Sequence, residues 1–307
     1  MKAATELASL AADPDVSILE LGRAMGELSV EWPDEEAQAK LRAAARGTPL
    51  AGRLETIAPE MLRAVLRSGA GLPASAHSAA AARWIAANGG RWRNILSPDA
   101  TAWSRITVSL GGTQSEIALA SAQQDRETAQ RLYDAMMEEA GADLAVGVWM
   151  EHRMVYSTDN YLSALIPGAR RDRHLGCDLF APALTPLYMP MPGEVVQTAI
   201  IDERLDYGGL LVTRHEIEPG VPLFALWGHL SHESARRWKA GDDVPEGAEI
   251  AVMGDFEENG WWLPHLHFQL STMEFSDFRA MPGVGEAACI DLWAEIFPDP
   301  APLILGG

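Results

Sequence analysis

Cysteine is nearly absent: Cys177 and Cys289 are the only two in 307 residues, so no disulfide framework holds this fold together. No apolar run approaches the ~20 residues that a membrane-spanning helix needs. The first residues, Met1-Lys2-Ala3-Ala4-Thr5-Glu6-Leu7, lack the basic start, long apolar core and small-residue cleavage site of a secretory signal. Positive charge is also scarce. With 24 basic against 43 acidic residues the net charge is −19, which argues against nucleic acid, anionic membranes and anionic wall polymers as partners. Internal repeats, charge blocks and low-complexity tracts are missing, alanine-rich helical stretches apart. A cytoplasmic protein is the simplest expectation. At 48% hydrophobic residues the chain is long enough for two domains with proper cores.

Residues 1–68 read as a helical region, with Asp13-Pro14 and Trp32-Pro33-Asp34 as breaks and Pro33 placed for a helix start. Leu54, Ile57, Met61, Val65 and Leu66 form a stripe that serves either the core or a homodimer interface. Gly69-Ala70-Gly71-Leu72-Pro73 marks a break, and an alanine-rich helix follows from Ser75 to Asn88. Within residues 69–150, Ser104 to Leu110 and Asp143 to Met150 read as strands on either side of one long amphipathic helix, Ser115 to Ala140. This unit is expected to brace a neighbouring sheet. Glu151-His152-Arg153 reads as a hairpin turn, which makes His152 a surface residue, and His77 as a residue at a helix cap.

The chemistry gathers in residues 151–275. Trp262-Leu263-Pro264-His265-Leu266-His267-Phe268-Gln269-Leu270 alternates as a strand, which points His265 and His267 the same way. In Arg173-His174-Leu175-Gly176-Cys177-Asp178-Leu179-Phe180-Ala181-Pro182, His174 and Asp178 are four apart and share a face on a helix or on a strand. Gly176 and Pro182 favour the extended reading. A third candidate, His229, closes the apolar run Leu223-Phe224-Ala225-Leu226-Trp227-Gly228-His229. Two histidines, an aspartate and an open fourth position make a catalytic zinc site, and the other two histidines are then left for proton transfer. Cys177, at an odd offset from the candidate ligands, points to the opposite face as a small hydrophobe.

From about Tyr156 to Leu270 the sequence resembles the lysostaphin-type zinc metallopeptidases, the LytM-like murein hydrolases. Their pattern is His-x-x-x-Asp, then Tyr/Trp-x-His-Leu-Ser, then His-x-His, matched here by His174 to Asp178, by Trp227-Gly228-His229-Leu230-Ser231 and by His265 to His267. The intervening Ala181-Pro182, Thr185-Pro186, Gly193-Glu194-Val195-Val196 and Tyr207-Gly208-Gly209 also look like the family's punctuation, whereas Leu184 and Met191-Pro192-Gly193 depart from it in loops. The resemblance implies that His174, Asp178 and His267 bind Zn2+, while His265 and His229 act as general base and transition-state stabiliser. Tyr156 and Tyr161 are candidates for the oxyanion-stabilising tyrosine. His215 is similar to a frequent non-ligand histidine of the family, with a strand-end or supporting role. Trp261 and Trp262 flank the His-x-His strand, one walling a cleft and the other packing, and Arg170, Arg171 and Arg173 either hold a substrate carboxylate or stay solvated.

Gly71-Leu72-Pro73, Trp84-Ile85-Ala86-Ala87-Asn88, the strand near Val108 and the tail 276–307, with Leu292-Trp293 and Pro298-Asp299-Pro300, look like the flanks of a peptidase-like module in bacterial kinase/aminotransferase fusion proteins. The expected architecture is α+β: a helical N-terminal region and a C-terminal antiparallel β-sheet zinc-peptidase domain. The expected activity is hydrolysis of a peptide or small amide substrate, with no nucleic acid and no membrane. Two alternatives stay open, a metal-free partner-binding module and a zinc enzyme acting on a small cytoplasmic amino-acid derivative.

Overall fold

The computed structural model describes residues 2–28, 34–96 and 103–306. Five helices come first: α1 (Lys2–Ala11), α2 (Ile18–Leu28), α3 (Asp34–Ala44), α4 (Pro49–Thr56) and α5 (Pro59–Gly69). The last two begin on proline, whose missing N–H and fixed φ suit a first helical position. The Trp32-Pro33 break lies outside the described residues. Next come α6 (Ser78–Ala87), β1 (Arg105–Val108), α7 (Ser115–Ala122), α8 (Arg126–Ala140) and β2 (Leu144–Gly147). The catalytic segment supplies β3 (Arg171–His174), β4 (Cys177–Phe180), β5 (Pro186–Tyr188), β6 (Gly193–Ile201), β7 (Gly208–Glu218), β8 (Val221–Leu230), α9 (His232–Arg237), β9 (Asp243–Val244), β10 (Glu249–Val252) and β11 (His265–Ser271). The chain ends with β12 (Val284–Glu286), α10 (Ile290–Ile296) and α11 (Ala301–Leu305).

One eight-stranded sheet in the order β1-β2-β4-β11-β8-β7-β6-β9 organises these elements. Only β1 and β2 run parallel, joined by the α7–α8 crossover, and every other neighbouring pair in that sheet is antiparallel. The strand-helix-strand unit therefore extends the catalytic sheet at its β4 edge. Alternation gives each sheet face its own core. Leu210, Val212, Phe224 and Leu226 face the N-terminal helices and α10, whereas Leu211, Ala225, Trp227 and Phe268 pack with Trp92, α6 and α11.

Several sequence expectations change in the folded chain. The helix over 115–140 is broken in two, because Gln124 takes φ +61° and the Asp125 carboxylate caps α8 by accepting from the Thr128 amide. Glu151-His152-Arg153 is not a hairpin turn. His152 bridges Arg173 and its half-exposed ring lies 3.4 Å from Asp172, while Arg153 is buried. The stripe of Leu54, Ile57, Met61, Val65 and Leu66 lies buried in the chain's own core. His215 is enclosed on the face away from the candidate ligands, bonded to Thr213 and to the Pro192 carbonyl and packed 5.1 Å from the Trp92 ring. Burial pushes its pKa down to about 4.

The helical region has one tight crossing. A Cβ added at Gly69 of α5 would lie 2.5 Å from the Leu19 carbonyl oxygen and 3.0 Å from the Gly22 Cα, both backbone atoms of α2. Gly69→Ala is expected to push the helices apart and to cost about 1–3 kcal/mol as overpacking does elsewhere, even against alanine's better helix propensity. Denaturant unfolding checks this, and unchanged stability would mean that the crossing yields freely.

Candidate active site

β11 presents His265, His267 and Gln269 on one side, and its neighbour β4 sets Asp178 directly opposite His267. β3 ends at His174, after which Leu175-Gly176 breaks the extended run into two strands belonging to different sheets. A Cβ at Gly176 would stand 2.6 Å from Cε1 of His267, so a residue without one lets this segment pass under the ring. His174 Nε2 consequently lies 2.9 Å from His267 Nδ1, and both nitrogens are 3.2 Å from Asp178 Oδ1. Bonds of about 2.0–2.2 Å to a tetrahedral zinc separate its ligand atoms by about 3.3 Å, close to the edges of this triangle. The three residues form a buried group able to hold a metal ion, and two imidazoles with one carboxylate fit Zn2+.

His229 reaches the same place by a different route. Strand parity would send it to the far side of β8 with Trp227. Instead the β7–β8 register shifts between Gly209 and Leu211, and His229 takes φ +63°, a conformation costing on the order of 1–3 kcal/mol for a residue with a Cβ. Its ring centroid ends 4.4 Å from that of His265.

Backbone carbonyls fix the tautomers of this second pair. His265 donates from Nδ1 to the Leu263 carbonyl at 2.7 Å, and His229 donates from Nδ1 to the Asn259 carbonyl at 2.8 Å. In each neutral ring Nε2 is then a free lone pair, and that of His265 lies 3.6 Å from Asp178 Oδ1. His267 is oriented by Gln269: its Nε2 donates to Oε1 at 2.9 Å while the Gln269 amide donates to the Pro282 carbonyl at 3.0 Å, leaving His267 Nδ1 bare. His174 has no such anchor, since its Nδ1 is buried without a partner.

Burial, and then Arg153, push the His174 pKa down to about 3. Burial followed by the neighbouring imidazoles holds His229 well below its usual range, and burial also lowers His265. These rings are neutral at neutral pH, the form in which imidazole binds a metal or accepts a proton. Burial alone would raise the Asp178 pKa, but His174, the Arg153 guanidinium and His265 hold it well below the carboxylate range.

Arg153 is the residue that sequence reasoning missed. Its Nη2 donates to Asp178 Oδ2 at 2.7 Å, its Nε to Glu151 at 3.0 Å and its Nη1 to the Tyr156 hydroxyl at 3.3 Å. Gln269 was missed as well, although it continues the even spacing of His265 and His267. The whole group floors a cleft of about 230 Å³ walled by Ile117, Ala118 and Ser121 of α7, by Tyr156 and Tyr161, and by Trp262. Trp262 is thus the cleft tryptophan, whereas Trp261 packs against a neighbouring apolar cluster. Of the arginine cluster, Arg170 binds the Thr158 carbonyl and Arg173 lies beside Asp172, while Arg171 lines the cleft. Cys177 faces the opposite core, as its parity predicts.

Comparison with known proteins points to a metallopeptidase enzyme. Residues 172–277 match the model of Peptidase family M23. Among solved structures the chain is similar to a zinc-containing peptidase from Vibrio cholerae, with 27% identity, a TM-score of 0.26, and coverage of 33% of this chain and 28% of that one. It is also similar to the lysostaphin catalytic domain from Staphylococcus simulans (22% identity, TM-score 0.28, 41% and 83% of the two chains). A third relative is the catalytic domain of the prophage-encoded M23 protein EnpA from Enterococcus faecalis (29%, TM-score 0.26, 34% and 72%). No curated protein matches. The chain thus spans little more than a quarter of the Vibrio cholerae peptidase. Among the described residues, no helix is long and apolar enough to cross a membrane.

Arg153→Ala would leave Asp178 and Glu151 buried without their cation, and loss of one partner of a buried pair costs about 3–5 kcal/mol. Chemical unfolding of the metal-free variant measures it. A loss below about 1 kcal/mol, the range of exposed pairs, would show that Arg153 does not sustain the site.

Proposed function

We propose that this chain is a zinc-dependent hydrolase that cleaves a peptide or amide bond with a metal-activated water. His174, Asp178 and His267 hold the zinc, and His265 and His229 serve the reacting groups beside it. The convergence of a three-donor triangle with two neutral imidazoles whose lone pairs are set by backbone carbonyls carries this reading. Bound zinc supplies Lewis acidity, polarising the scissile carbonyl and bringing a water's pKa toward neutrality.

The remaining work falls to the chain's own side chains. Nε2 of His265 accepts the proton of the attacking water and returns it to the leaving amine, because its ring cannot turn while Nδ1 is tied to Leu263. His229, beside it, presents the bare lone pair of its own Nε2, which accepts a second hydrogen bond from the attacking water and holds it in place for the transfer. Tyr156 is held by Arg153 and lines the cleft, which supports it over Tyr161 as the donor to the oxygen where negative charge develops. The acidic net charge supports a small soluble substrate over an anionic wall polymer, and with it a cytoplasmic location.

Elemental analysis combined with turnover separates the two roles. His267→Ala and Asp178→Ala are expected to lose most of the zinc. His265→Ala and His229→Ala should keep close to one equivalent while losing about 10²–10⁴-fold in turnover. Finding either of the latter metal-free would overturn the division of labour. A wild-type protein that takes up no zinc would favour the partner-binding alternative.

A further inference from the structure

Three arginines line the cleft, and two of them are already neutralised. Arg153 is committed to Asp178 and Glu151, and Arg279 to Asp277. Arg171 differs. Among the described residues no carboxylate oxygen lies within hydrogen-bonded ion-pair distance of its guanidinium. Its Nη2 donates to the Asn160 carbonyl at 2.5 Å, its Cζ lies 6.0 Å from the Tyr161 ring centroid, and its Nε is buried without a partner. These contacts fix the side chain and, among the described residues, leave Nη1 without an acceptor. Holding a guanidinium in a partly enclosed wall without a counter-ion costs desolvation energy, and an anionic ligand would offset that cost.

Position completes the argument. Arg171 and His174 occupy the two ends of β3, about 10 Å apart at the strand's rise per residue, and both line the same cleft. A substrate that places its carbonyl at the His174 end and its carboxylate at Arg171 is therefore a short one. The cleft itself, about 230 Å³, is at the small end of ligand sites. Asp206 lines the same cleft and Glu286 lies behind Arg171; both feel its charge, but neither comes within ion-pair distance of the guanidinium.

Resting on the hydrolase reading above, we propose that Arg171 binds the free carboxylate of the substrate. The chain then acts on small N-acylated amino acids or short peptides, removing the carboxyl-terminal residue instead of cutting within a polymer. The guanidinium fork suits a carboxylate, which it can hold through two parallel N–H donors.

N-acetyl-alanyl-alanine and its carboxyl-terminal amide are the paired probes, each measured in calorimetric binding to the zinc-loaded protein and in turnover. The free acid is expected to bind at least 10-fold more tightly than the amide and to have the lower KM. Arg171→Met should abolish that preference while leaving amide binding and zinc content unchanged, and Arg171→Lys should restore part of it. Equal binding of acid and amide by the wild type, binding of neither, or an equal loss for both in Arg171→Met overturns the proposal. Carboxylate-selective binding that depends on Arg171 but is followed by no turnover would support the anchor and count against the hydrolase reading alone.

Discussion

The divided carboxylate of Asp178 is the contact on which the site depends. Oδ2 accepts from Arg153, while Oδ1 faces His174, His265 and His267. A buried carboxylate by itself would take up a proton, and a protonated acid is a poor ligand. The guanidinium keeps it ionised and spends one oxygen's hydrogen-bonding capacity, so the other remains available to the histidines. Arg153 in turn is held by Glu151 and Tyr156, and Gly147 gives it room, since a Cβ there would lie 3.1 Å from Nη2 and 3.2 Å from the Asp178 Cβ. The strand that carries Gly147 belongs to the added β1–β2 unit, so the extension of the sheet and the electrostatics of the site are one construction.

Around that contact the sheet obeys strand parity and then breaks it in two places. His265, His267 and Gln269 follow from alternation alone. Gly176 bends the chain so that His174 and Asp178, in separate strands, meet under the His267 ring. The bulge at His229 reverses one residue's facing, and the φ of +63° is tolerated because Gly209 accepts the close approach of Leu230 across the ladder. Both departures bring an imidazole to a face that regular pairing would deny it.

That difference explains how much was legible in the sequence. The helical start, the breaks at Gly69 to Pro73 and the His-x-His strand follow from periodicity and turn chemistry, whereas the antiparallel sheet is implied by the motif resemblance. The gathering of His174, Asp178 and His229 with that strand followed from motif resemblance, since no local rule brings residues so far apart to one point. Arg153 was invisible because its partner lies 25 residues away and its own neighbourhood resembles a polar turn. The division of the 115–140 helix depended on one left-handed glutamine and an aspartate cap, which amphipathic periodicity across the break concealed.

The helices outside the peptidase segment give the site its shape. On the histidine-bearing side of the sheet, Phe224 and Leu226 are covered by the N-terminal helices, and Phe180 packs with Ile117 and Ala118 of α7. Covering both flanks converts what an open antiparallel sheet would offer as a long groove into a short cleft. Enclosure would act together with a net charge of −19, which repels anionic polymers at a distance while the half-buried Arg171 attracts a small anion only at close range.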